Sequence, residues 1–144
     1  MATTFAAAEN AVQRYAQVRM TTSTPGDLLL ALYDGLFRYL NQAKICVQAK
    51  QMARGRELLS NSYAILSELY IALDHSVAPE LCANLEALYG FCMDRVMLAS
   101  RKAQVEPIDE VVRVLTPLRE AWQIAVPQAV REEHELNERS KAGR

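Results

Sequence analysis

Residues 24–49 read TPGDLLLALYDGLFRYLNQAKICVQA, and this stretch decides the fold. Thr24 suits a helix N-cap, Pro25 the first helical position, and Asp27 the place of a capping-box acid. The run that follows carries two apolar stripes. Leu29, Leu32, Leu36, Leu40, Ala43 and Val47 recur at helical spacing, and Leu30, Tyr33 and Phe37 make a second stripe turned away from the first. A helix facing one core needs one stripe, so the second implies a further partner surface.

Working outward, the same period returns downstream. Leu58, Ser62, Ile65, Leu69 and Leu73 mark a helix from about Arg56 to Leu73, after a weak break near residues 51–55 in which Gly55 is the strongest punctuation. Asp74 to Ala78 reads as a loop, and Pro79 opens the next helix, with Leu81, Leu85, Leu88, Tyr89, Cys92, Val96 and Ala99 along it. Pro107 starts the last, carried by Ile108, Val111, Val112, Leu115, Leu118, Trp122 and Val126. Pro117 interrupts that pattern without ending it, so a kink is expected there. Past Pro127 one leucine remains among charged residues, which reads as a frayed polar tail. Upstream, Phe5, Ala8, Val12 and Tyr15 form a thin stripe in an alanine-rich segment that needs something to lie against. No segment alternates with period two. The expected architecture is all-α: a strap segment over 1–23, an antiparallel four-helix bundle over 24–127, and a polar tail over 128–144.

Composition removes several function classes. The 144 residues suffice for one domain with a sizeable core, being 51% hydrophobic and 23% charged. Sixteen basic and seventeen acidic residues give a formal charge of −1, which argues against nucleic acid or an anionic membrane as partner. Cys46, Cys82 and Cys92 form no CxxC pair and sit among apolar neighbours, as reduced core thiols of a cytoplasmic protein would. No signal peptide pattern and no run of about 18 apolar residues is present.

Catalytic chemistry is missing. A di-metal bundle needs Glu-x-x-His pairs, but Ala72 and Arg131 stand three residues before His75 and His134. There is no phosphate-cradling glycine loop and no HExxH. His134, between Glu133 and Glu135, reads as solvated. The expectation is therefore no enzyme, no metal and no cofactor. The six tyrosines fit a surface exposed in one state and covered in another, although boundary positions of a core would explain them too.

Three blocks resemble the flagellar chaperone FliS family. The capped helix contains Leu32-Tyr33-Asp34-Gly35; a second block has Asn84, Leu85, Leu88 and Tyr89; a third has Glu110, Val111, Leu115, Leu118, Arg119 and Trp122. Tyr15 has the place of the tyrosine that precedes the family's capped helix. The ordered set covers about residues 15–125, with departures at Pro79, Ala99-Ser100 and Pro117. The resemblance implies a cytoplasmic export chaperone. Its client is the disordered C-terminal region of flagellin, which folds into helices on the chaperone and is thereby kept from polymerising and competent for flagellar type III export.

The client-binding groove is expected at Tyr15, Leu30, Leu32, Tyr33, Phe37, Leu66, Tyr70, Leu85 and Tyr89, as a helix-in-groove surface. The strap residues Phe5, Val12 and Tyr15 are expected to lie across it when no client is present. Other readings are a helical interaction module or secretion chaperone for a non-flagellin client, and a homodimer pairing its spare stripes. An export-gate component is a further candidate partner.

Overall fold

The computed structural model describes residues 24–143. Four helices follow in order: α1 Pro25–Gln48, α2 Met52–Ile71, α3 Pro79–Lys102 and α4 Glu106–Ala142. At the head of α1 the Thr24 hydroxyl accepts the Asp27 N–H at 3.1 Å, with Pro25 in the first turn. Proline also opens α3 at Pro79 and stands in the first turn of α4 at Pro107.

The turn between α1 and α2 falls at Ala49–Gln51, and Gly55 lies inside α2. What ends α1 is Lys50, at a φ of 59°, and Ala103 ends α3 in the same left-handed conformation at 53°. In both, the next N–H reaches back five residues, from Gln51 to the Cys46 carbonyl at 2.8 Å and from Gln104 to the Ala99 carbonyl at 3.3 Å. These are the hydrogen bonds of a helix C-terminus that usually holds glycine.

Each helix packs on two neighbours: α1 on α2 and α4, and α3 on α2 and α4. The backbones of the diagonal pairs α1/α3 and α2/α4 do not approach each other. With short connections this is an antiparallel bundle. The centre holds Leu36, Leu40, Leu58, Leu66, Cys92, Ile108 and Leu115, all at or near zero exposure. Cys46, Cys82 and Cys92 are free thiols.

The ring arrangement answers the two stripes of α1. A helix with neighbours on both sides must bury a wide arc, so Leu36, Leu40 and Ala43 close against the core together with Tyr33 and Phe37. Tyr33 and Phe37 of the second stripe are thus core, while Leu30 stays half-buried.

The end of α4 departs from expectation. The helix runs through Pro117 and Pro127 to Ala142 instead of fraying at Pro127. The sequence past Pro127 supports this locally. Gln128 donates to Glu132 one turn on at 3.2 Å, and Arg139 and Lys141 occupy the last turn, where they complement the helix dipole. Nearly every residue of this extension is exposed. The strap segment, with Phe5, Val12 and Tyr15, lies outside the described residues.

Candidate binding surface

The two tyrosines singled out by the sequence blocks meet in the core. The hydroxyls of Tyr33 on α1 and Tyr89 on α3 lie 2.7 Å apart, and both side chains are buried. Burial raises the pKa of each, and the shared hydrogen bond assists the neutral form of Tyr89. The indole Nε1 of Trp122 sits beside the Tyr33 hydroxyl without reaching hydrogen-bond geometry. Three helices therefore converge on one polar point inside an apolar bundle.

That convergence corrects the expected groove. Leu32, Tyr33, Phe37, Leu66, Leu85 and Tyr89 are all buried core residues. Leu30 is half-buried and Tyr70 is exposed, while Tyr15 lies outside the described residues. Core and groove tyrosines share one sequence signature, because both want an apolar body and a satisfied tip. Only the packing of α1 between two neighbours tells them apart.

Phe37 has a specific cover. The Arg119 guanidinium lies over its ring at 4.7 Å and also pairs with Asp34 at 2.5 Å, so one side chain ties α4 to α1 twice.

Open apolar surface lies elsewhere. Between α2 and α3 a groove of about 400 Å³ is lined by Leu59, Ser60, Tyr63, Val96 and Met97, and bounded by Arg56 and Ser100. Arg56, Tyr63 and Tyr70 recur at seven-residue spacing on α2, as Met97 and Gly90 do on α3. The Arg56 Nε donates to the Ser100 carbonyl at 3.2 Å at one end, and the Tyr70 hydroxyl to Glu86 at 2.8 Å at the other. Between these two bridges Gly90 faces empty space: a Cβ built on it meets nothing within 4 Å. From Arg56 to Tyr70 the seam is about 21 Å long at 1.5 Å per residue, enough to seat some four turns of a helix.

Sequence reasoning missed Leu59, Tyr63 and Met97 as groove residues. Small residues at Ser60, Gly90 and Ser100, set among a tyrosine and a methionine, were the available signal.

A second, smaller groove of about 270 Å³ opens between the start of α1 and α4, along Gly26, Leu29, Trp122, Val126 and Val130. It lies across the bundle from the first, since α2/α3 and α1/α4 are opposite edges of the ring. Among the described residues no helix is long and apolar enough to cross a membrane, and no group of three or more His, Cys, Asp or Glu could hold a metal ion.

The pattern of blocks and the bundle have counterparts in known proteins. A family model described as "Flagellar protein FliS" matches residues 8–129. The chain belongs to this FliS family. The flagellar secretion chaperone FliS of Bacillus subtilis (strain 168) is 30% identical over 128 residues, spanning 89% of this chain and 95% of that protein. The FliS of Salmonella typhimurium is 28% identical over 123 residues, 82% of this chain and 91% of its own. A solved bacterial flagellar chaperone superposes with a TM-score of 0.68 at 24% identity, covering 83% of this chain and 98% of that one, and so shares its helical fold. FliS is a chaperone family and not an enzyme family, in keeping with the absence of a reactive constellation in the sequence.

Proposed function

We propose that this protein is a cytoplasmic chaperone for flagellar type III export, and that it holds the C-terminal region of flagellin. The observation that carries the binding mode is the α2/α3 seam, bridged at both ends and open at Gly90. A client helix laid between Tyr63 and Met97 becomes a fifth helix and covers apolar surface that the bundle leaves in water. Each large side chain it buries contributes on the order of 1.5–3 kcal/mol, offset by the cost of ordering a disordered client. Tyr70 keeps a place at the seam's end, while Tyr33 and Tyr89 act through the core that sets its walls.

The α1/α4 groove supports a client that wraps, because a single straight helix cannot occupy two opposite edges. It opens beside Thr24, where residues 1–23 join the bundle. In this reading the Phe5–Val12–Tyr15 stripe lies over apolar surface until a client displaces it. Deleting residues 1–19 then raises client affinity and lowers solubility; no change in either removes the strap.

The main test is calorimetric titration with a peptide from the C-terminal end of the flagellin of the same organism. Submicromolar one-to-one binding with a large negative heat-capacity change is expected for coupled folding on an apolar groove. A folded protein that gives no heat with this peptide rejects flagellin as the client.

A further inference from the structure

The net charge of −1 hides a strongly divided molecule. Between residues 57 and 94 there is no lysine or arginine, against six carboxylates: Glu57, Glu68, Asp74, Glu80, Glu86 and Asp94. That stretch carries −6 with His75 neutral, so the rest of the chain, with all sixteen basic residues and eleven acidic ones, carries +5. It comprises most of α2, the α2–α3 turn and the first two-thirds of α3.

At the centre of this acidic stretch the turn holds aliphatic side chains out in water. Ile71 is 76% exposed, Val77 79% and Leu81 50%.

The turn is also held in one shape. The Asp74 carboxylate accepts the Ser76 N–H at 3.0 Å and its hydroxyl at 2.5 Å. The Asp74 carbonyl accepts the Val77 N–H at 3.2 Å and the Cys82 thiol at 3.3 Å. Glu86 takes the Tyr70 hydroxyl on one oxygen and faces His75 Nε2 at 3.2 Å on the other. Fixing the plate in advance removes part of the ordering cost of binding.

We infer that the α2–α3 turn is a second docking surface, at the end of the client seam, whose occupant is a basic amphipathic helix of another protein. Its apolar side covers Ile71, Val77 and Leu81, and its lysines or arginines meet Asp74 and Glu80. Charge complementarity selects the occupant. An acidic plate repels nucleic acid and anionic lipid, and a helix with an acidic polar face gains nothing from it. Ile71 lies about two helical turns beyond Tyr63, and Leu81 more than four beyond Met97, so the surface adjoins the end of the seam that Tyr70 and Glu86 bridge. The inference does not depend on which client the seam holds.

The test uses the full chain and a fluorescein-labelled synthetic helix of leucine and lysine in amphipathic spacing, with a leucine/glutamate helix as control, read by anisotropy. Saturable binding of the lysine helix that weakens with salt is expected, with none for the control. Glu80→Lys should weaken it about tenfold, the factor expected for losing one well-formed charged contact. Val77→Ser with Leu81→Ser should abolish it; both side chains are exposed enough for the fold to survive, as circular dichroism would verify. Gly90→Leu, in the seam, should leave it unchanged. Binding that ignores the Glu80, Val77 and Leu81 substitutions, or no binding at all, overturns the inference. A dimer in sedimentation velocity that Val77→Ser with Leu81→Ser dissolves assigns the surface to a second copy instead, and overturns it too.

Discussion

The Tyr33 and Tyr89 hydroxyls meet at 2.7 Å across the middle of the bundle, joining the diagonal helices α1 and α3 whose backbones do not touch. Other ties between helices act along the ring. Arg119 joins α4 to α1, Lys44 reaches Asp109 between the same two helices at 2.8 Å, and Arg56 and Tyr70 join α2 to α3. The tyrosine pair alone among these joins opposite helices. It is also a coupled pair in an apolar setting, where removing one member strands the other.

Phe substitutions should therefore be non-additive. Tyr33→Phe alone leaves the Tyr89 hydroxyl buried without its partner and should cost about 1–3 kcal/mol. The double substitution removes both polar groups and should cost much less than the sum of the singles. Urea unfolding of all four proteins measures the coupling. Additive singles would mean that water or Trp122 already satisfies each hydroxyl.

The same burial gives an alkaline signature. Burial raises the pKa of Tyr33 and Tyr89 above the value of the unfolded chain, so the folded state prefers both neutral. The stability this contributes is fully present below about pH 10 and is lost as pH rises through the folded values. Absorbance at the phenolate band should show these two tyrosines ionising only with unfolding, whereas the double Phe protein should resist high pH better. Cys92 follows the same logic, its buried thiol pushed up to about 12, and should react with a thiol reagent only after unfolding.

Gly26 should tolerate no side chain while Val126 stands opposite. A Cβ there would meet Val126 Cγ1 at 2.6 Å, and valine is stiff at χ1, so α4 itself must move. Gly26→Ala should cost about 1–3 kcal/mol by overpacking, despite the better helix propensity of alanine. Adding Val126→Ala should recover most of the loss, measured as the denaturation midpoint. A neutral Gly26→Ala would place the two helices farther apart than described.

Gly90 is the opposite case. Nothing lies within 4 Å of its added Cβ, so Gly90→Leu should leave stability unchanged or slightly raised. It fills the seam, however, and should reduce flagellin-peptide affinity at least tenfold, or about 1.4 kcal/mol. Equal affinity in calorimetry would move the client off the α2/α3 seam while leaving the fold and the family untouched.

Residues 24–49 by themselves determined a capped amphipathic helix, because Thr24, Pro25 and the apolar period act locally and need no partner to be read. The same is true of Pro79 and Pro107, which set the starts of α3 and α4. Other boundaries were less legible. Lys50 and Ala103 close two helices in a conformation that usually calls for glycine, and the charge pattern past Pro127 supports a helix that a lone leucine does not advertise. The three blocks with Tyr33, Tyr89 and Trp122 were visible as a family pattern, but which way those residues face was not. That depends on α1 having a neighbour on each side, a property of the ring and not of any one helix. A helical period fixes which residues share a face, whereas only the tertiary packing decides whether that face is covered. So the bundle was written in the sequence, and the open groove at Tyr63 and Met97 was decided by the packing of α2 against α3.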